Sequence, residues 1–172
     1  MNDKNQNDAY LEPYLIALKM EQEGKACFLD AAKNTSSEIA RQTFEFLAKE
    51  EVKHIKKIEE FYNSLKKSDG RDIIDVGESD ADSKLEEFYL KLEKIKDEFK
   101  GTDTDREAYE MALTLENGAE EFYEEMFNKS TDPGIKKFYK WLMAEESMHS
   151  RLINSCIKFV DDPSEWFRRR KA

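Results

Sequence analysis

The stretch FLAKEEVKHIKKIEEFY, residues 46–62, decides the fold. Its apolar residues recur at three- and four-residue intervals, the signature of a helix with one buried face. Phe44, Leu47, Ala48, Ile55, Ile58 and Phe61 form that stripe, and Glu51 and His54 fall on it. A Glu and a His three apart share a helix face, so an acid and an imidazole stand where a helix should be apolar. A second stretch, WLMAEESMHSRL at residues 141–152, repeats the pattern, with Glu146 and His149 among Tyr139, Leu142, Met143 and Ile153.

Shifting the sequence by 95 residues lays these two stretches on each other, and the match continues outward. Tyr14, Ala17, Leu18 and Glu21 fall on Tyr109, Ala112, Leu113 and Glu116; Phe28 falls on Tyr123, Phe44 on Tyr139 and Phe46 on Trp141. Chance could align acids in so acidic a chain, but not the aromatics and both histidines as well. The expectation is an internal duplication, about 13–64 onto 108–160, within a single domain spanning 1–172.

Each half reads as a helical hairpin. The periodicity predicts helices from about Pro13 to Lys33 and from Ser37 to Ser64, after a polar and frayed first dozen residues. A third long helix is predicted from a Thr104-x-x-Glu107 capping box to Lys129, and a fourth from the Asp132-Pro133-Gly134 turn to Val160, stopped by Pro163. Between the hairpins lies a connection of about 40 residues, long for a helix–helix link. A loop from Ser68 to Asp82 opens it. A short amphipathic helix follows, begun by Ser83-x-x-Glu86, faced with Leu85, Phe88, Leu92, Ile95 and Phe99, and ended by Gly101. Two hairpins joined by a long crossover describe an all-α, ferritin-like four-helix bundle. The basic tail Arg168–Lys171 reads as a solvated end.

Composition narrows the function. Lys+Arg number 28 against Asp+Glu 38, a net charge of −10, which argues against a nucleic-acid partner. No apolar run is long enough to span a membrane and the polar start has no signal-peptide core, so no membrane partner and a cytoplasmic location are expected. Two isolated cysteines exclude a disulfide scaffold and a zinc ribbon. Both are expected to be buried thiols, Cys156 as an apolar filler.

What remains unusual is four glutamates, Glu21, Glu51, Glu116 and Glu146, each near the middle of a core face. A buried ionised carboxylate is penalised by several kcal/mol, and four together would overwhelm a net stability of about 5–15 kcal/mol. Either they are protonated or cations compensate them. Two divalent cations would balance four carboxylates, with two neutral imidazoles adding nitrogen ligands. Carboxylate and imidazole without thiolate suit iron or manganese. One Glu from each of two helices plus Glu-x-x-His from each of the other two is the ligand pattern of ferritin-like di-iron bundles. Glu50 and Glu145 should point about 100° away, to solvent.

The segments ALKMEQEGKACF, FLAKEEVKHIKKIEEFY, LTLENGAEEFYEE and WLMAEESMHSRL resemble those of the rubrerythrin family of ferritin-like di-iron proteins. The resemblance implies Glu51 and Glu146 as bridging ligands, Glu21 and Glu116 as terminal ligands, and His54 and His149 as one ligand to each of two irons. It also implies an oxidoreductase that reduces hydrogen peroxide or dioxygen, with a role in oxidative stress. Rubrerythrins proper also carry a rubredoxin domain with paired CxxC motifs, and none is present in this sequence. Electrons would then come from a separate, rubredoxin-like donor. The family's extra ligand Glu, one turn after the third-helix Glu, is replaced by Ala119, with Glu120 one residue further round. That replacement puts efficient peroxidase chemistry in doubt.

Tyr123 and Tyr139 align with Phe28 and Phe44, so packing is expected of them first. A radical or proton-donor role beside the ligands is the alternative for both, and Glu120 is a surface acid unless it swings inward. Two rival readings are iron handling by a ferroxidase for storage or delivery, and a metal-free helical module. A homodimer is expected, because the crossover helix has apolar surface to cover.

Overall fold

In the computed structural model, which describes residues 3–68, 74–94 and 102–170, the apolar stripes become long helices. In chain order these are α1 (Asp3–Asn34), α2 (Glu38–Ser68), α3 (Ala81–Lys94), α4 (Asp103–Lys129), α5 (Pro133–Asp161) and α6 (Pro163–Arg170). Among the described residues there is no strand, and no helix is long and apolar enough to cross a membrane. α1 pairs with α2 and α4 with α5 across three-residue turns, and the two hairpins close into a ferritin-like four-helix bundle. α3 lies along the outside, where Phe88 meets Phe46 of α2 with ring centroids 4.8 Å apart.

Several boundaries differ from expectation for identifiable reasons. α1 begins at Asp3 and carries Pro13 inside it, forgoing one backbone hydrogen bond. Leu11 and Tyr14 pin this part of the helix, the Tyr14 ring lying 5.7 Å from Phe61 and 5.8 Å from Phe138. α2 runs one turn past Ser64 because Leu65 is also buried.

The capping box of α4 sits two residues early, and the one expected at α3 is not formed. At α4 it is Thr102 and Asp105 that cap each other, Asp105 N–H donating to Thr102 Oγ1 at 3.2 Å and Thr102 N–H to Asp105 Oδ2 at 3.0 Å. Asp105 is buried and also accepts from the Thr35 hydroxyl in the α1–α2 turn, which ties the two hairpins together. Ser83 and Glu86 lie inside α3, which opens instead with Ser79 Oγ accepting from Ala81 N–H at 3.1 Å. Pro133 starts α5 behind Asp132 as expected. Pro163 does more than stop that helix. It begins α6, which folds back so that Trp166 Nε1 donates to Ser155 Oγ at 2.7 Å.

Leu85, Phe88 and Leu92 of the crossover helix are buried as expected, while Ile95, Phe99 and Gly101 lie outside the described residues. Arg168 at the basic end is exposed.

Two hydrophobic clusters fill the bundle. One gathers Phe28, Phe44, Leu47, Tyr109, Met148 and Leu152; the other gathers Tyr14, Ile58, Phe61, Tyr123, Phe138 and Leu142. Along α2 the first draws on residues up to Ala48 and the second resumes at Ile58, leaving a gap in the core at Glu51 and His54. Every long helix carries its core-facing Glu into that gap.

Candidate metal centre

Glu21, Glu51, His54, Glu116, Glu146 and His149 are all buried, both histidines completely. Their side chains meet in the middle of the bundle. The imidazoles lie nearly parallel, 5.1 Å between ring centroids, with Nδ1 of each turned to the carboxylates. Around His54 Nδ1 stand Glu21 Oε2 at 3.0 Å, Glu146 Oε1 at 3.1 Å and Glu51 Oε2 at 3.4 Å. Around His149 Nδ1 stand Glu116 Oε2 at 3.3 Å, Glu146 Oε2 at 3.4 Å and Glu51 Oε1 at 3.5 Å. Glu51 and Glu146 therefore each give one oxygen to each histidine. Glu21 touches only His54, and Glu116 only His149.

The helical spacing explains the arrangement. Glu and His at i and i+3 on α2 and α5 project side by side from facing helices, and α1 and α4 each add one carboxylate from the flank.

The electrostatics show how such a cluster can exist without an ion. Burial pushes Glu21 and Glu116 well above the usual carboxylate range, and the charge of Glu146 adds to both shifts. Burial opposes charge on Glu51 as well, but hydrogen bonds from Glu21, His149 and His54 hold its pKa at about 2. Glu146 lies well below its ordinary value despite burial, through Glu116 and both histidines. Burial also disfavours the imidazolium form, yet Glu146 and Glu21 raise His54, and Glu116 raises His149. The site thus favours the protonated forms of Glu21, Glu116 and both imidazoles and the ionised forms of Glu51 and Glu146, so opposite charges face one another in it.

A pair of divalent cations fits this set. One ligand atom from each of Glu51, His54, Glu146 and His149 lies within 4.8 Å of all the others. Glu51 Oε2, Glu116 Oε1 and Glu146 Oε1 are buried without hydrogen-bond partners. Orphaned acceptors are costly in a dry interior, and those of Glu51 and Glu146 face the same nitrogen, His54 Nδ1.

Expectation fails at Glu50 and Glu145, which are buried rather than solvated, at 2% and 0% exposure. The crossover helix supplies the reason. Lys84 Nζ reaches Glu145 Oε2 at 2.7 Å, Asp80 Oδ1 at 2.8 Å and Glu50 Oε2 at 3.0 Å. Ser79 Oγ donates to Glu145 Oε1 at 2.7 Å, and Lys53 pairs with Glu50 at 2.5 Å. Burial opposes charge on Glu145, but His54, Lys84 and Ser79 keep its pKa at about 2. Its Oε2 is 3.7 Å from His54 Nε2, on the far side of the ring from the cluster. Sequence reasoning missed Lys84 and Ser79, and nothing in their spacing signals that the connection returns to this point.

Tyr123 does more than pack: its hydroxyl donates to Glu21 Oε1. Tyr139 is buried in the aromatic layer, stacked on Tyr14 and Tyr123 at 5.8 and 6.3 Å. Glu120 is half-buried, and burial with the nearby charge of Glu146 raises its pKa. Cys156 is the expected filler, 3.6 Å from Thr43 Oγ1, and burial pushes its thiol up to about 11. Cys27 is only half-buried, contrary to expectation.

A cavity of about 210 Å³ opens between α1 and α4 and leads to the cluster, with Glu21, Glu51, Glu116 and Glu146 in its lining. Gly24, Gly118 and Ala119 leave room for it. A methyl at Gly24 would already touch the Glu51 carboxyl group at 3.6 Å, so a larger side chain there would fill the approach.

A bundle of this topology with a buried Glu/His cluster at its centre defines a ferritin-like protein with a possible di-metal site. The family model for rubrerythrin matches residues 15–157, and the chain belongs to the rubrerythrin family. No curated protein and no solved structure matches it significantly.

Proposed function

We propose that this protein is a rubrerythrin-type di-iron oxidoreductase that reduces hydrogen peroxide or dioxygen with electrons from a separate donor. In this reading Glu51 and Glu146 would hold both irons, Glu21 and Glu116 would each be a terminal ligand, and His54 and His149 would serve one iron each. The observation that carries it is the sharing of Glu51 and Glu146, each with one oxygen toward either histidine. Two Fe(II) ions would supply one electron each and open positions for the oxidant.

The chain's own residues do the rest. The Tyr123 hydroxyl fixes one oxygen of Glu21, leaving the other turned to His54. The two hydrophobic clusters close the site above and below, so access is through the α1–α4 cavity, whose volume suits a small oxidant. Manganese would satisfy the same donors, and metal analysis distinguishes the two. We read residues 1–172 as one domain arisen by duplication. We further read the protein as a homodimer of the cytoplasm, where its two free cysteines stay reduced.

Anaerobic reconstitution should give about two irons per chain, and peroxide should then be consumed over many turnovers when a rubredoxin-like donor is present. Absence of bound iron would overturn the reading. Ala119 favours the alternative, a ferroxidase that handles iron, because it leaves a small side chain in the cavity wall where the family's extra glutamate stands. Such a protein would oxidise added Fe(II) stoichiometrically and stop.

A further inference from the structure

Both halves of the cluster offer a histidine Nδ1 and a terminal carboxylate, yet what stands behind those groups differs. Behind His54, Glu145 Oε2 lies 3.7 Å from Nε2. Glu145 is itself held by Lys84 at 2.7 Å and Ser79 at 2.7 Å, both from the crossover segment. Neither Nε2 has a hydrogen-bond partner, but behind His149, among the described residues, no carboxylate comes within 4.0 Å of that atom. The terminal carboxylates differ in the same sense. Glu21 Oε1 accepts from Tyr123, whereas Glu116 Oε1 is buried without a partner. The residue that aligns with Tyr123 is Phe28, which has no hydroxyl to offer.

We propose that the two metal positions are unequal, the one on the His54 side being anchored from the crossover helix by Lys84 through Glu145, so that it fills first and holds its ion more tightly. The inference rests on the metal-binding reading above and adds an order of filling and a positioning residue, Lys84. The physical reason is pre-organisation. A fixed carboxylate charge 3.7 Å from Nε2 favours the ring's proton on that nitrogen, which leaves Nδ1 as the donor atom toward an ion. Tyr123 fixes the orientation of Glu21. The His149 side must be ordered by the incoming ion, and that ordering weakens its net affinity. Lys84 would otherwise repel a nearby cation, but Glu145, Glu50 and Asp80 surround it and outweigh its charge.

The test is anaerobic titration of the full apo chain with Co(II), read by its visible absorption bands. The wild type should bind in two steps separated by roughly tenfold or more. His54→Ala should abolish the tighter step and His149→Ala the weaker one. Lys84→Met should weaken the first step by roughly 10–100-fold, the usual effect of losing such an outer partner, and leave the second unchanged. Lys84→Arg should restore most of the difference. If Lys84→Met fails to fold by circular dichroism, Glu145→Gln removes the carboxylate at the other end of the same ion pair at nearly constant shape and should act alike. Two equal Co(II) affinities in the wild type would overturn the inequality while leaving the metal reading intact. So would an equal loss at both steps in Lys84→Met. No Co(II) binding by the wild type would overturn both.

Discussion

The hairpin α1–α2 and the hairpin α4–α5 present the same groups to the centre of the bundle and differ in almost everything one layer out. Position 28 is Phe where the second hairpin has Tyr123, and position 46 is Phe where it has Trp141. Phe46 packs on Phe88 of the crossover helix, whereas Trp141 meets His54 edge-on with ring centroids 5.6 Å apart. Glu50 is shared between Lys53 of its own helix and Lys84, while Glu145 has Ser79 as well as Lys84, both from the crossover segment. The central set of four glutamates and two histidines is nearly symmetric between the hairpins. Its surroundings answer to a single crossover helix, which can lie on only one side.

The largest expected effect breaks the comparison outright. Glu51 and Glu146 belong to both halves, so Glu146→Ala should reduce bound iron from two per chain to none. Glu21→Ala or Glu116→Ala, each touching one histidine, should leave about one. Elemental analysis of the reconstituted variants decides this, and equal losses from all of them would mean that the carboxylates are not divided into shared and single.

Next in size is pH. His54, His149, Glu21 and Glu116 have folded-state pKa values above their ordinary ones, so their stabilising contribution is complete below those ordinary values, 6.5 and 4.5. It fades as pH rises through the folded values. Glu51 and Glu146 are lowered, so their contribution is present above 4.5 and lost as pH falls, for Glu51 toward about 2. The metal-free protein should therefore be most stable in mildly acidic solution and lose stability toward alkaline pH. Ions displace the cluster's protons, so metal affinity should rise with pH while protons are released. Denaturant melts of the apo protein across pH, with calorimetry in two buffers of different ionisation enthalpy, test both signs.

A smaller effect comes from equalising the two aromatic positions. Tyr123→Phe should cost about 1–3 kcal/mol in the apo protein by leaving Glu21 Oε1 unpaired in a buried site. Phe28→Tyr in that background should recover part of it if its hydroxyl reaches Glu116. A double-mutant cycle in urea measures both. Smallest of all are the turns. Asp132 accepts from Gly134 N–H at 2.8 Å and Ile135 N–H at 3.0 Å, whereas Ser37 caps α2 with one contact at 3.3 Å. Asp132→Ala should cost about 1 kcal/mol and Ser37→Ala less, visible as a difference between their urea midpoints.

The six central residues were legible in the sequence because the chemistry of a buried acid leaves few alternatives, and because the pattern occurs twice at one offset. The bundle was legible for the same reason, its apolar stripes being long and uninterrupted. The outer layer was not. Helical projection sends Glu50 and Glu145 away from the core axis, and only the return of α3 turns that outward face into an inside. Lys84, one of the polar residues of the amphipathic crossover helix, is not marked out in the sequence. The helix starts were misplaced through side-chain choice: Thr102 pairs with an Asp at the third position, and the nearby Thr104-x-x-Glu107 copies the usual pattern without its geometry.

The gap between the two hydrophobic clusters also bears on how the protein comes apart. Each cluster is a separate patch of dry core, and along all four helices the link between them is a layer of acids and imidazoles. Without ions that layer holds several unpartnered polar atoms, so it transmits little cooperativity. The apo protein should open as two units, amides beside Phe44 exchanging with solvent independently of those beside Phe61, in the manner of neighbouring foldons. Two bound ions would stitch the ends into one, so hydrogen exchange would report metal occupancy far from the metal itself.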